Sequence, residues 1–320
     1  MLGKLRYASK YMAVKFFSKT KKWSINWMCK QLEISRAAYY KWLHWEIPKC
    51  ALKNVELAEL IKEYNERFNH ILGYRRMTSW INHFNHTDYS HKRVHRIMKK
   101  LGIHAVIRKK KKKYTLSTPE ITAENKLKRE FTASKPNEKW VTDVTEFKVP
   151  QENKKLYLSA ILDLYDRYPV AYVIGARNDN RFVFETFDKA MEANPNAKPL
   201  FHSDRGFQYT GKVFQGKLKG HEMEQSMSRV GHCIDNGPVE GFFGIIKSEM
   251  YQMYKITDEA SLRFAISGYI RFYSEEMPQD RYHCKTPSEV RREAFSADLP
   301  AEYPIPVNKR IQKYKEKWCV

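Results

Sequence analysis

The stretch KWVTDVTEFKVPQENKKLYLSAILDLYDRYPVAYVIG, Lys139 to Gly175, holds three runs of β-branched and aromatic residues separated by turn-forming residues. KWVTDVTEFKV, LYLSAILDLYDR and YPVAYVIG read as three successive strands. Beyond them the pattern alternates. NRFVFETFDKAMEA reads as a helix and PLFH (Pro199 to His202) as a short apolar strand. A helix near Gly211 to Leu218, a strand around Glu224 to Met227 and a helix after the turn at Asn236 complete the series. Three strands followed by alternating helix and strand predict an α/β domain built on a mixed sheet.

Asp143 lies inside the first of these strands, where a charged group needs a partner if the strand is buried. Asp204 follows directly on PLFHS, at the carboxyl end of a strand, where α/β sheets place ligand sites. Glu240 comes after 35 intervening residues, in the first turn of a helix. Each acid also has an ordinary reading: a hydrogen-bonded edge acid, a turn former before Arg205-Gly206, and a helix-end acid. Together they point to a hard-cation site, because magnesium takes oxygen ligands and is commonly held by a few carboxylates plus substrate phosphate. Two such ions about 4 Å apart activate an attacking oxygen and stabilise a leaving one. Bound cations also offset the repulsion that otherwise raises a carboxyl pKa.

The third acid sits in DNGPVEGFFGIIKSEM, Asp235 to Met250. Val239, Phe242, Phe243, Ile246 and Met250 form an apolar stripe at helical spacing. Glu240 falls on its border, about 100° from the centre, and Lys247 returns to nearly the same angle two turns on. One edge thus presents a carboxylate and then an ammonium, suited to metal and phosphate, or otherwise a solvated edge.

The charge is uneven. Of a net +22, residues 1–130 carry 30 Lys and Arg against 10 Asp and Glu, and residues 131–320 carry 28 against 26. A polyanionic partner explains that asymmetry, and nucleic acid is the first candidate. The five cysteines are scattered without a C-x-x-C, which suits a reducing interior rather than a disulfide scaffold or zinc ribbon. No apolar run reaches the roughly 20 residues of a membrane span, and the basic start MLGKLRYASKYMAVKFF lacks a signal-peptide core. The expectation is a soluble, cytoplasmic protein.

Within the basic part, residues 23–46 read as two short helices around Glu33-Ile34, with Ser35 capping a second helix that carries Arg36, Tyr39, Tyr40, Lys41 and Trp42. That is either a helix-turn-helix offering Arg36 and Lys41 to DNA or a hairpin with an aromatic core. NVELAELIKEYNERF follows as a packed helix. GYRRM, with Arg75 and Arg76, leads to a helix near Met77 to Phe84. SHKRVHRIMKKLGI then sets Lys92, Arg93 and Arg96 around Val94, Ile97 and Met98. His91 and His95 stand at ligand spacing with no second pair after them, so they read as phosphate-facing or surface histidines rather than a zinc site. RKKKKKY, opening with Arg108, Lys109 and Lys110, has the composition of a solvated connector that can track DNA. The expected organisation is a helix-turn-helix-like segment over 1–48, a second helical DNA-binding region over 49–106 and a basic, polar linker over 107–136. A catalytic core over 137–298 and a basic tail over 299–320 complete it.

WVTDVTEF, YLSAILDLYDRYPVAY, HSDRGFQYT, SMSRVGHCIDNGPVEGFFGIIKSE and YIRFYSEEMPQDRYHCKTPSEV together resemble the integrase core of bacterial insertion-sequence transposases of the second-reading-frame (OrfB) type. The 35-residue spacing and Lys247 seven residues past Glu240 are that family's signature, and MCKQLEISRAAYYKW and GYRRM resemble its upstream helices. The resemblance spans about residues 23 to 295. It implies an RNase H-like core with Asp143, Asp204 and Glu240 as a metal-binding catalytic triad. It also implies magnesium or manganese, two ions, serving strand cleavage and then attack of a 3′-hydroxyl on a target phosphodiester. Lys247 resembles the lysine that contacts end DNA, Asp235-Asn236 the pair that shapes the helix start, and Tyr273-Ser274 departs from the family's Tyr-Asn. The implied partners are double-stranded element ends and target DNA, further copies of the chain, and an upstream-frame (OrfA) product or OrfAB fusion, since the chain begins close to its own helical region without leucine heptads. The resemblance also implies association with the nucleoid. A catalytically silent DNA-binding relative acting as a regulator, and a structure-specific nuclease on the same core, stay open as alternatives.

Overall fold

The computed structural model describes residues 7–44, 48–107, 124–150, 154–229 and 233–305. The chain divides into two compact units, Met1–Leu57 and Ala58–Val320. The first contains α1 (Ala8–Thr20), α2 (Ile25–Gln31) and α3 (Arg36–Leu43). Tyr11, Val14, Met28, Cys29, Ile34 and Tyr39 form its buried core. The Ser35 hydroxyl accepts the Ala38 N–H at 3.4 Å, the cap that the sequence predicts at the start of α3.

In the second unit, Tyr64 of α4 (Lys49–Arg67) and Phe68 just after it pack on Trp80 of α5 (Tyr74–Phe84), which packs in turn with α6 (His91–Leu101). Ile61, Tyr64, Phe68, Met77, Trp80, Val94, Ile97 and Met98 are buried there. Helix α5 begins three residues before its expected start, because extended Gly73 ends the loop and the Tyr-Arg-Arg run is already its first turn. Ser90 caps α6, and Gly102, at φ +70°, closes it in a conformation that costs glycine little. Trp80 stacks on Phe272 with ring centres 5.7 Å apart, which fixes these helices to the rest of the unit.

The sheet comprises β1 (Lys139–Lys148), β2 (Lys155–Asp163), β3 (Pro169–Gly175), β4 (Leu200–Ser203) and β5 (Glu224–Met227), in the order β3-β2-β1-β4-β5. The three meander strands are antiparallel, whereas β4 runs parallel to β1 and β5 to β4. This is the mixed, RNase H-like sheet. Helix α7 (Asn180–Ala193) is capped by Asp179 and lays Phe182, Val183, Phe187 and Met191 against Trp140, Phe201 and Phe214. A single turn, α8 (Phe207–Thr210), and α9 (Lys212–Gly220) follow β4.

Helix α10 (Gly237–Met253) buries all five residues of the expected stripe and one more, Glu249. Pro238 in its first turn has the φ a helix start needs and no N–H to leave unpaired. Helices α11 (Glu259–Arg271) and α12 (Pro287–Ser296) complete the unit, each opened by a capping box, Asp258 with Ser261 and Thr286 with Glu289. Tyr273 and Ser274 lie buried in a π-helical turn after α11, and the Tyr273 ring meets Phe242 of α10 edge-on at 4.8 Å.

Candidate active site

The parallel ladder between β1 and β4 pairs Lys139 with Leu200 and ends at Thr142 with Ser203. Asp143 and Asp204 are the next residue on each chain, so the register brings the two acids side by side at neighbouring-strand spacing, about 4.8 Å between backbones. Both carboxylates are held by backbone N–H groups: Val144 donates to Asp143 Oδ1 at 2.7 Å, and Gly206 to Asp204 Oδ1 at 2.9 Å. A Cβ on Gly206 would stand 3.0 Å from that same oxygen and 2.9 Å from Gln208 Oε1. Any larger residue here would have to push one or both of these side chains aside.

Helix α10 brings the third acid. The Asn236 amide donates to the Thr142 carbonyl at 2.9 Å, in a buried contact immediately before Asp143. Asp235 beside it is fully buried and accepts from Arg229, Arg129 and Asn125; despite burial, the two guanidinium groups hold its carboxyl well below the ordinary range. The helix start is therefore pinned from two sides. Glu240 is exposed on the border of the packed stripe. Lys247, half-buried two turns on, has its ammonium 5.5 Å from the centre of the Phe147 ring.

Burial, and then the neighbouring Asp204 carboxylate, push Asp143 well above the usual carboxylate range, with Glu240 adding to the rise and Lys247 opposing it. Burial raises Asp204 and, followed by the charge of Asp204, raises Glu240. The three acids thus feel one another's charge. Among the described residues no three His, Cys, Asp or Glu side chains close on a single point as a finished metal cluster. The three acids offer oxygen donors only and repel one another, with Lys247 opposing part of that repulsion.

Two neighbours escape a reading of the sequence alone. The buried Tyr209 hydroxyl lies 3.2 Å from Thr142 Oγ1, and burial together with the charges of Asp143 and Asp204 pushes its phenol well up. His202 is buried two residues before Asp204, bonded to Ser226 Oγ at 2.8 Å and Ser228 Oγ at 3.2 Å; burial lowers its pKa to about 4, so the ring is neutral and ties β4 to β5. Short β-rich runs announce neither contact.

Of the residues expected to meet DNA, Arg36 and Lys41 are exposed on α3, and Lys92 and Arg96 on α6. Arg93 is half-buried over the Tyr89 ring at 5.1 Å. Exposed Arg75 donates to the Tyr74 hydroxyl at 3.2 Å. Arg76 is engaged elsewhere, in an ion pair with buried Glu249. Arg108, Lys109 and Lys110 lie outside the described residues. No helix is long and apolar enough to cross a membrane among the described residues.

Residues 133–233 match the family described as integrase core domain, and residues 53–111 an HTH-like domain. Asp143 and Asp204 fall inside the first match and Glu240 beyond it. The chain is 36% identical over 274 residues to the putative transposase InsK for insertion sequence element IS150 of Escherichia coli (strain K12), covering 84% of this chain and 93% of that one. It is also 36% identical over 209 residues to an uncharacterized transposase-like protein of Haemophilus influenzae, covering 65% of this chain and 95% of the relative. Among solved structures, the integrase catalytic core domain of HTLV-2 in complex with magnesium aligns with a TM-score of 0.38 at 21% identity, over 48% of this chain and 95% of that one.

Proposed function

This chain belongs to the insertion-sequence transposases that carry an integrase core, and from that premise we propose that it cuts a strand at the element end and joins the freed 3′-hydroxyl to a target phosphodiester, with Asp143, Asp204 and Glu240 as its catalytic acids. The enzyme is a polynucleotidyl transferase. The observation that carries the choice of acids is the β1–β4 register, which sets Asp143 beside Asp204, together with the Asn236 bond that brings Glu240's helix to the same strand.

Magnesium or manganese fits this donor set, which offers carboxylate oxygens without a thiolate or imidazole and gathers repelling charge where burial penalises it. Asp143, Asp204 and Glu240 would hold it, as a pair of ions. When bound, the cation supplies Lewis-acid polarisation of the phosphodiester and lowers the pKa of the attacking oxygen. The chain's own part is positioning. Backbone N–H groups fix two carboxylates, Asn236 fixes the helix of the third, and Lys247 offers its ammonium to a phosphate of the end DNA over the Phe147 ring. The exposed cations of α3, in the first unit, and of α6, in the second, bind duplex phosphates. Element ends, target duplex, a second copy of the chain and an upstream-frame product complete the reading, with segments 1–48 and 49–106 as its DNA-binding parts.

The test is strand joining with a labelled element end and magnesium. Glu240→Gln is expected to bind the end as wild type does and to join it more slowly by roughly a hundredfold or more. Wild type that binds ends but never joins them, with or without an upstream-frame product, would instead identify a regulator.

A further inference from the structure

Four aromatic rings run in a train across the surface of the first unit, outside its core. Phe16 meets Phe17 edge-on at 5.3 Å, Phe17 stacks on Trp23 at 5.1 Å with the planes 17° apart, and Trp23 meets Trp27 edge-on at 5.7 Å. Their exposures are 59%, 36%, 47% and 53%. The core beneath is closed by Tyr11, Val14, Met28 and Tyr39 without them. Large apolar groups left out in a row mark a binding surface rather than a fold requirement.

The charge around the rings says what they bind. Residues 7–44 hold eight Lys and Arg against a single acid, Glu33. Lys15, Lys19, Lys21, Lys22 and Lys30, on the same two helices and the turn between them, are all exposed. A second copy would bring the same cations against these, whereas a polyanion is attracted to them. Duplex DNA satisfies the lysines but hides the faces of its bases. Unpaired nucleotides present both phosphates and π-faces, and aromatic side chains interleaved with cations are how proteins hold them.

We propose that Phe16, Phe17, Trp23 and Trp27 form a stacking platform for unpaired bases of single-stranded DNA, such as those of a frayed or cleaved element end. This rests on the transposase reading and adds to it a site for melted DNA in the first unit. The lysines bind the phosphates of the strand, while Phe16, Trp27 and Trp23, the most exposed of the four rings, take its bases.

The experiment compares the full-length chain on single-stranded oligothymidylate and on blunt duplex of equal phosphate number, following tryptophan fluorescence and affinity. Wild type is expected to bind the single strand with its tryptophan emission quenched. Trp23→Ala/Trp27→Ala should lose roughly tenfold in that affinity while keeping its affinity for duplex, and Trp23→Phe/Trp27→Phe should keep most of both. Circular dichroism establishes that each variant is folded, and sedimentation gives its mass. Unchanged single-strand binding in the folded alanine variant overturns the platform and leaves the transposase reading intact. So does a wild-type dimer that the alanine variant dissolves, because the rings are then covered by a second copy. Absence of binding to either DNA overturns both readings.

Discussion

The Asn236 side-chain amide is bonded to the carbonyl of Thr142, 2.9 Å away and buried, so the residue that starts α10 is fastened to the residue before Asp143. The bond spans 94 positions of sequence and sets where Glu240 stands relative to the other two acids. Asn236→Ala removes this buried hydrogen bond, at a cost of about 0.5–1.5 kcal/mol. Freed, the helix start shifts, and a displacement of about 1 Å at a reacting centre can cost on the order of a hundredfold in rate. The variant is expected to melt a few degrees lower and to join strands ten- to a hundredfold more slowly, with end affinity unchanged. Activity equal to wild type would separate the bond from catalysis.

A second prediction concerns Gly206. Its φ of −57° is open to any residue, so backbone strain is not the reason for glycine here. Space is: an alanine Cβ would crowd Asp204 Oδ1 and Gln208 Oε1. Gly206→Ala should therefore fold with near-normal stability and lose strand joining by roughly tenfold or more, because the carboxylate must move. A folded variant with full activity would show that the turn yields without moving the acid.

Removing the divalent cation should expose the cost of gathering these charges. Burial and Asp204 disfavour the ionised Asp143, so a neutral side chain of the same shape relieves the site when no cation is present. In chelator, Asp143→Asn is expected to melt above wild type. Added magnesium should raise the wild-type melting temperature more than that of the variant, because binding to the native state stabilises it. The opposite order in chelator would mean that the acids are not in conflict.

Asp163 and Asp166 share one guanidinium, that of Arg291, whose Nη1 stands 3.2 Å and 2.9 Å from them. One positive charge does not neutralise two buried carboxylates. Burial first, and Asp163 second, raise Asp166 to about 7, against 3.8 for a free side chain. The folded protein then holds a proton that the unfolded chain gives up, so this group's contribution is fully present below about pH 3.8 and is lost as pH rises towards 7. Asp166→Asn removes the titration. The melting temperature of the variant relative to wild type should rise across that window and level off above it. A difference independent of pH would refute the shared proton.

How much of this was legible before the structure depends on the distance over which each signal acts. The three meander strands declare themselves by β-branched and aromatic runs and β4 by its short apolar run, whereas β5, Glu-Gln-Ser-Met, carries no such run and is legible only from its place in the alternation. Asp143 declares itself by being charged where burial is expected, Asp204 by following a strand's carboxyl end, and Glu240 by its spacing from Asp204 and its place on the border of the stripe. Ser35 is readable as a cap because capping is local. Gly73 shows the limit: Tyr74, Arg75 and Arg76 look like loop until Met77 and Trp80 are seen packing on the same helix. Tyr209 is beyond reach altogether, since its place beside Asp143 and Asp204 depends on the single turn of α8 after β4.

Arg76 and Glu249 carry the last prediction, because the sequence offers the arginine to DNA and the fold engages it otherwise. Glu249 is buried on the packed face of α10, 173 residues away, where its carboxylate meets the Arg76 guanidinium and accepts the Tyr269 hydroxyl at 2.6 Å. Removing one partner of a buried ion pair leaves the other uncompensated, which costs about 3–5 kcal/mol. Arg76→Ala should therefore lower the melting temperature by many degrees, and Arg76→Ala/Glu249→Gln should recover part of the loss. Exposed Arg96 makes the contrast: Arg96→Ala should leave stability nearly unchanged and, if that guanidinium meets a phosphate, reduce the salt slope of DNA binding by about 1. Arg76→Ala should leave the slope as it is, measured below its melting temperature. A reduced slope in Arg76→Ala with its stability intact would return Arg76 to the DNA surface.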